Sequence, residues 1–421
     1  VGHGLAADER SAQFSMFSEE EIRHHFPILD RKINGRQLVY LDNAATTQKP
    51  MEVLQVSRHY YEAVNSNIHR GTHFLARLAT EEFEKARKTV ADHLNAASPD
   101  EVIFTSGTTD GINLVAGILS LSGKIGVGDE VLISTLEHHS NIVPWQMLCE
   151  RTGATLKIIP CDDNGTLDQA AFSSLLSDKT KVLALGWISN AFGTVNPVAE
   201  MTAAAKNAGV PYVLLDAAQA TPHVKIDVQA VGADFVAISG HKVYAPTGIG
   251  VLWGKADVLN TLPPWRGGGE MIKEVTFEKT TYNELPFKYE AGTPNIEGAI
   301  SLAAALDFVN DIGLDEVLEH DRKLINAAAD GLSGISGVKL YGPADRVGSL
   351  SFGIEGVHHY DLGTLMDQMG VAVRTGHHCC QPLMARFGIT GTTRASFAVY
   401  NTLADVRALI ESVDKAIGML R

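Results

Sequence analysis

The sequence predicts an α/β protein: a large doubly wound domain with a mixed, mostly parallel sheet, followed by a smaller α+β domain. Two observations lead there. Short, apolar, β-rich runs such as Tyr212–Leu215 and Phe235–Ile238 alternate with helical stretches up to residue 296, the pattern of strands covered on both faces. Those runs also end in polar residues, and functional groups in open α/β sheets collect just beyond the carboxyl ends of strands. Beyond an Ala-rich amphipathic helix that opens at Glu297, helices and strands mix in a shorter region that ends at residue 421.

The bulk properties narrow the function classes. With 421 residues, 45% hydrophobic and 20% charged, the chain can bury a substantial core and has room for two domains. A formal charge of −14 argues against general binding to nucleic acid or to anionic membranes. No apolar run approaches the roughly 18 residues of a membrane-spanning helix. The four cysteines, at 149, 161, 379 and 380, lack C-x-x-C spacing and suggest a reducing, cytoplasmic setting. The histidine pairs at 24/25, 138/139, 358/359 and 377/378 are poor chelates, because neighbouring side chains diverge, so no metal site is expected.

Residues 1–15 have neither the basic start nor the apolar core of a secretory signal and read as an extension or cloning scar, expected to be disordered. Met16 reads as the native start, and Ser18 as the cap of a first helix. Residues 16–35 are expected to pack with the small domain, residues 36–296 to form the large cofactor-binding domain, and residues 297–421 the small one. Gln37–Leu41 reads as a short strand followed by the turn Asp42–Thr47. Helical spacing covers 51–64 and 76–94, around the polar loop 65–71. Strand Glu101–Phe104 leads through Ser106–Gly111 into a helix, where backbone N–H groups and the Thr108 and Thr109 hydroxyls can hold an anion or act as a simple helix cap. Strands Glu130–Ser134 and Lys181–Ile188 end at Glu137-His138-His139 and at Ser189-Asn190. Helices near 167–176 and 198–208 separate the strands, and Pro263–Glu270 reads as a flexible or hairpin-like excursion. In the last region helices fall at 315–333, 360–369 and 403–420, with strands near 337–341, 348–353, 371–374 and 393–399. The loop Arg374–Pro382 lies between a strand and a helix, and Arg394 lies on a strand.

The two central strands carry the chemistry. One ends in Asp216 with Gln219 three residues on, and the other in Ser239-Gly240-His241-Lys242. A desolvated lysine at such a strand end can act as a nucleophile toward a carbonyl cofactor of the pyridoxal type. Asp216 suits the anion that such a cofactor needs at its ring nitrogen, while Gln219, Ser239 and His241 supply donors for its phenolate and phosphate. His138 or His139 can stack on an aromatic ring or shuttle protons.

The ordered set Thr108-Thr109, Glu137-His138-His139, Asp216-x-x-Gln219, Ser239-Gly240-His241-Lys242 and Arg374-x-Gly376-His377-His378-Cys379 resembles the SufS-type cysteine desulfurases, from about Phe17 onward. These are class-V aminotransferase relatives that use pyridoxal 5′-phosphate on a type I transferase fold. The resemblance implies that Lys242 forms the Schiff base, Asp216 pairs with the pyridine nitrogen, Gln219 meets the phenolate oxygen and His138 stacks on the ring. It further implies that Thr109, Ser239 and His241 hold the phosphate, with Thr108 beside them, and that Thr293 reaches the phosphate of the other subunit of a homodimer. Asn190 and Arg394, with Arg374 nearby, would receive the carboxylate of L-cysteine, and Cys379 would take the sulfur as a persulfide while alanine leaves. A SufE-like or SufU-like acceptor and the Suf scaffold of iron-sulfur cluster assembly are the implied partners. Selenocysteine lyase or cysteine sulfinate desulfinase activity on the same scaffold is the alternative. Two positions depart from the family: Cys380 follows the nucleophile where relatives carry a small non-cysteine residue, and Asp110 stands where some carry Glu. Consecutive side chains of an extended loop point apart, so Cys379 and Cys380 are not expected to address one substrate together.

Overall fold

The structure, a computed structural model, describes residues 18–420. The 1–15 extension and Met16 lie outside the described residues. Ser18 caps the helix Glu19–His24 by accepting from the Glu21 N–H at 3.4 Å.

Seven strands form the central sheet: Val102–Thr105 (β1), Glu130–Ser134 (β2), Thr155–Ile159 (β3), Thr180–Gly186 (β4), Tyr212–Asp216 (β5), Phe235–Ser239 (β6) and Gly250–Gly254 (β7). Their spatial order is β1-β7-β6-β5-β4-β2-β3. Strands β2 to β6 run parallel, while β7 is antiparallel to both its neighbours. The period of two along each strand divides the side chains between two cores. Val213, Leu215, Val236 and Ile238 enter one, and Tyr212, Leu214, Phe235 and Ala237 the other. Burial on both faces is why these strands read as continuous apolar runs. Helix Thr108–Leu121 covers one face with Ile112, Val115 and Leu119, and helices Phe74–His93 and Ile296–Ile312 cover the other with Phe83, Val90, Leu302 and Leu306.

A second, antiparallel sheet comprises Val338–Tyr341 (β8), Ser349–Ile354 (β9), Arg374–Gly376 (β10) and Thr392–Ser396 (β11), in the order β8-β9-β11-β10. Leu350, Phe352 and Ala395 pack there against Leu324 of helix Leu314–Ser333 and Leu409 and Val413 of helix Leu403–Leu420. The N-terminal stretch joins this region too. Val39–Tyr40 pairs in parallel with Val371–Ala372, and Asp42 bridges to Ser396.

Local expectations differ from the structure in several places. The strand expected over Gln37–Leu41 is two short pieces, Arg36–Gln37 and Val39–Tyr40. The segment Pro263–Glu270, expected as a flexible or hairpin-like excursion, is neither, and a hairpin follows it, Ile272–Val275 paired with Thr280–Tyr282. Residues 263–270 dock instead, with Trp265 seated over Gly117, where a Cβ would come within 2.6 Å of the indole nitrogen, and Arg266 pairing with Asp110 at 2.6 Å. Strands β3 and β7 and helix Val143–Thr152 lack an earlier counterpart. No helix among the described residues is long and apolar enough to cross a membrane.

Candidate active site

Four parallel strands deliver their carboxyl ends to one cavity of about 210 Å³. His138 arrives beyond β2, Asn190 beyond β4, Asp216 and Gln219 at and beyond β5, and Ser239, His241 and Lys242 at and beyond β6. Thr108 and Thr109 line the same cavity from a helix start, and Arg374, Cys379 and Arg394 line it from the C-terminal region. Of the residues singled out in the sequence, Thr293 is not brought here. It is exposed, next to Gly292, and does not line the cavity. A second cleft of about 380 Å³, lined by Thr89, His93 and Asn310 among others, collects none of the strand-end groups.

Lys242 and Asp216 define the floor. Burial pushes the Lys242 amine below the usual lysine range and the Asp216 carboxyl above the usual aspartate range, and each partly offsets the other's shift by opposite charge. Among the described residues no hydrogen bond engages Lys242 Nζ, while Asp216 Oδ1 accepts the Ala218 N–H at 3.0 Å. His138 is neutral, its pKa pushed down to about 3 by burial and by Lys242. Its Nδ1 accepts the Ser140 backbone N–H at 3.1 Å, so the ring proton is assigned to Nε2. Gln219 gives one Nε2 hydrogen to Ala44 O at 2.8 Å and keeps its second N–H as a donor for a ligand.

The helix start is built for an anion. Gly107, at φ 145, is the N-cap and supplies no side-chain cap, so the first N–H groups of a 14-residue helix depend on other partners. Ser239 Oγ accepts the Thr108 N–H at 2.9 Å and donates to Thr108 Oγ1 at 2.9 Å. Close backbone approach makes this possible: a Cβ at Gly250 would lie 2.5 Å from Gly107 Cα. His241 completes the rim as a neutral ring, lowered to about 4 by burial and by Lys242 and Lys49.

Opposite the strand ends stands a cationic wall. Arg374 and Arg394 are directly paired across β10 and β11, a like-charge juxtaposition that is unfavourable until an anion binds. Arg394 is 1% exposed; its NH1 donates to Asn190 O at 2.7 Å, its NH2 pairs with Asp42 at 3.2 Å, and its Nε has no partner among the described residues. Cys379 faces the cavity from a loop in which His378 and Cys379 both take left-handed φ values, 52° and 57°. The loop is thus not extended, and the separation of the two thiols has another cause. Cys380 turns into the core, fully buried, with Sγ 3.0 Å from Asn190 Oδ1, and burial pushes its thiol up to about 12.

Two contributors were assigned no role from the sequence. Asp42, read there as turn material, is the counter-ion of Arg394. Glu137 is a buried carboxyl whose oxygens accept from Ser134 Oγ at 2.5 Å and Asn141 Nδ2 at 2.6 Å; burial raises it to about 7. The only sequence signal for Glu137 is its place beside His138 after a strand; for Asp42 there is none, because its partner is 352 residues away.

These groups fit pyridoxal 5′-phosphate on chemical grounds. A free buried amine suits its aldehyde, a buried carboxylate its ring nitrogen, a neutral imidazole its ring face, and an uncapped helix start beside Ser239 its phosphate. The class-V aminotransferase family matches residues 39–409 of the chain. A probable cysteine desulfurase of Halalkalibacterium halodurans is 49% identical over 395 residues, 94% of this chain and 97% of that one. A cysteine desulfurase of Klebsiella pneumoniae is 46% identical over 405 residues, covering 96% and 99%. The crystal structure of the cysteine desulfurase CsdA from Escherichia coli, in an S-sulfonic acid form, superposes with a TM-score of 0.90 at 40% identity, covering 96% of this chain and 100% of that one. The chain therefore belongs to the class-V aminotransferase family, on the pyridoxal-phosphate type I fold, and among its cysteine desulfurases.

Proposed function

We propose that the chain is a SufS-type desulfurase that converts L-cysteine to L-alanine and holds the sulfur as a persulfide on Cys379. The observation that carries this reading is that Cys379 lines the same cavity as Lys242, Asp216 and the Arg374/Arg394 pair. Bound pyridoxal phosphate would supply an electron sink for the electron pair left when the substrate α-carbon gives up its proton.

The rest belongs to the protein. Asn190 and Arg394 receive the substrate carboxylate, with Arg374 adding charge, and this fixes the α-carbon relative to Lys242. The depressed basicity of Lys242 lets its amine exist neutral, so it can bind the cofactor and then carry the α-proton. Thr108, Thr109, Ser239 and His241 hold the phosphate, Asp216 the ring nitrogen, Gln219 the phenolate oxygen, and His138 the ring face. The Cys379 thiolate attacks the substrate sulfur; the carbon-sulfur bond breaks and a sulfur-sulfur bond forms. L-cysteine plus the Cys379 thiol thereby yields L-alanine plus the Cys379 persulfide, with atoms and electrons balanced.

The proposal includes a homodimer in which Thr293 faces the phosphate of the neighbouring site. Its exposure supports that reading, as do the exposed apolar side chains Val275, Phe277 and Tyr282 of the surface hairpin. It also divides the chain at 296/297 into a cofactor-holding part and a part that presents the Cys379 loop. The half-exposed Cys379 is reachable by a SufE-like or SufU-like acceptor of the Suf scaffold, for iron-sulfur cluster assembly in the cytoplasm. Supplying L-cysteine and a reductant to the holoenzyme tests the activity. Alanine and sulfide should appear in equal amounts; alanine without sulfide, or neither, would refute the reading.

A further inference from the structure

The residue after the nucleophile has no assigned part in this reaction. Its surroundings give it one. Asn190 holds both ends of its side-chain amide against the Cys379 loop: Nδ2 donates to His378 O at 2.7 Å, and Oδ1 lies 3.0 Å from Cys380 Sγ. A carbonyl can only accept, so the nitrogen end must face His378 and the oxygen end must face the thiol. The Cys380 thiol is held protonated by burial and is therefore a donor to that oxygen. Cys380 is itself fixed, its N–H donating to His377 O at 2.8 Å and its carbonyl accepting the Met384 N–H at 3.1 Å.

We propose that Cys380 is a positioning residue whose buried thiol, by donating to Asn190 Oδ1, orients the Asn190 amide so that its remaining N–H meets the substrate carboxylate beside Arg394. The proposal rests on the reading of Asn190 and Arg394 as the carboxylate site. Three features support it over simple packing or a second sulfur carrier. The Asn190 backbone carbonyl is already bound to Arg394 NH1 at 2.7 Å, so tilting Asn190 would also disturb the guanidinium. Arg394 spends one N–H on Asn190 O and one on Asp42, and its Nε is unpartnered, which leaves guanidinium N–H groups to join the last Asn190 N–H as donors for one carboxylate. Cys380 does not line the cavity that Cys379 lines, so it has no path to the substrate sulfur. The contact also ties the loop carrying the nucleophile to the residue that places the substrate, linking two distances the reaction needs at once.

The test uses the holoenzyme and two readouts: steady-state kinetics with L-cysteine, and spectral titration with L-alanine, which carries the same carboxylate but no sulfur to transfer. The variants are Cys380→Ala, Cys380→Val, Cys380→Ser and Asn190→Ala. Losing one donor to a buried amide should raise KM for L-cysteine and Kd for L-alanine about fivefold to tenfold in Cys380→Ala, with a smaller change in kcat. Cys380→Val fills the space without a donor and should behave like Cys380→Ala, whereas Cys380→Ser restores a donor and should lie within about twofold of wild type. If Cys380→Ser is as weak as Cys380→Ala, volume rather than donation matters and the proposal is overturned. Unchanged L-alanine binding in Cys380→Ala alongside weakened binding in Asn190→Ala would overturn it too, while leaving Asn190 in the carboxylate site. Unchanged binding in both would remove the carboxylate reading itself.

Discussion

Lys242 and His138 show how burial sets chemistry one residue at a time. An ammonium in a dry cavity is costly, so Lys242 is displaced toward the neutral amine even with Asp216 nearby. Lys242→Ala should fold, because it removes a side chain that faces the cavity, yet alanine release should fall about 10²- to 10⁴-fold, the usual worth of a positioned proton carrier. Circular dichroism melting and an alanine assay on the same sample check both halves; a variant that still turns over normally contradicts the role. The buried imidazoles give a pH prediction with a definite sign. His138, at about 3, and His223 and His241, at about 4, are all depressed below the ordinary histidine value by burial. Their contribution is fully present above about pH 6.5 and is lost as the pH falls toward the folded values, because the unfolded chain takes up protons first. Replacing His223 by Gln should therefore flatten the acid side of the stability curve, measured by urea midpoints between pH 4 and 7; an unchanged slope would contradict it. Little of this was legible beforehand: the sequence placed His138, His241 and Lys242 at strand ends and gave no sign of His223, and burial and the Asp42 contact to Arg394 emerge only when distant segments meet.

At the scale of elements, the helix start that faces the cavity depends on two glycines with different reasons. Gly107 sits at φ 145, and Gly250 on β7 leaves no room for a methyl group between Gly107 and Ile238 O, each 2.5 Å from an added Cβ. Gly250→Ala should destabilise the protein by about 1–3 kcal/mol and loosen pyridoxal phosphate, since the strand must push the loop away. Calorimetry and cofactor dialysis measure the two effects; a neutral substitution would show that the close approach is not needed. A second device joins the two sheets. Asp321, on helix Leu314–Ser333, accepts the Gly348 N–H at 2.6 Å, lies 3.9 Å from His223, and is raised by burial to about 7. A raised carboxyl contributes most below its unfolded pKa and loses that contribution as pH rises to about 7. Asp321→Asn should accordingly gain stability relative to wild type between pH 5 and 8, by on the order of 2–4 kcal/mol, as read from urea midpoints. The opposite trend would mean that the carboxylate is ionised in the fold. Elements such as β5 and β6 were legible because both faces are buried and the apolar run is unbroken. β3 was not, because most of its side chains are partly exposed, and β7 was not, because its antiparallel course departs from the strand-helix alternation.

The whole molecule brings two sheets together so that the carboxyl ends of one present Asp216 and Lys242 to the cavity, and the other presents Arg374 and Arg394, with Cys379 on the loop after β10. This division of labour was visible in the sequence as motifs in order, because strand ends gather chemistry by topology. Residues 263–270 read as a flexible or hairpin-like excursion because Gly267–Gly269 imitates a turn, whereas Trp265 and Arg266 anchor that segment to helix Thr108–Leu121. The exposed apolar side chains of the hairpin, with Phe277 at its tip, and of Tyr61, Phe74 and Leu75 fit a two-fold interface. Sedimentation at micromolar concentration should give a dimer, and a fully active monomer would contradict the proposed sharing of Thr293. The proposed reaction has Cys379 alone take sulfur from L-cysteine. Its most direct measurement is peptide mass spectrometry after one addition of L-cysteine without reductant, on wild type and Cys379→Ser. One extra sulfur on the Cys379 position of wild type, and none on Cys380 in either protein, is the predicted result; sulfur on Cys380, or persisting in Cys379→Ser, contradicts it.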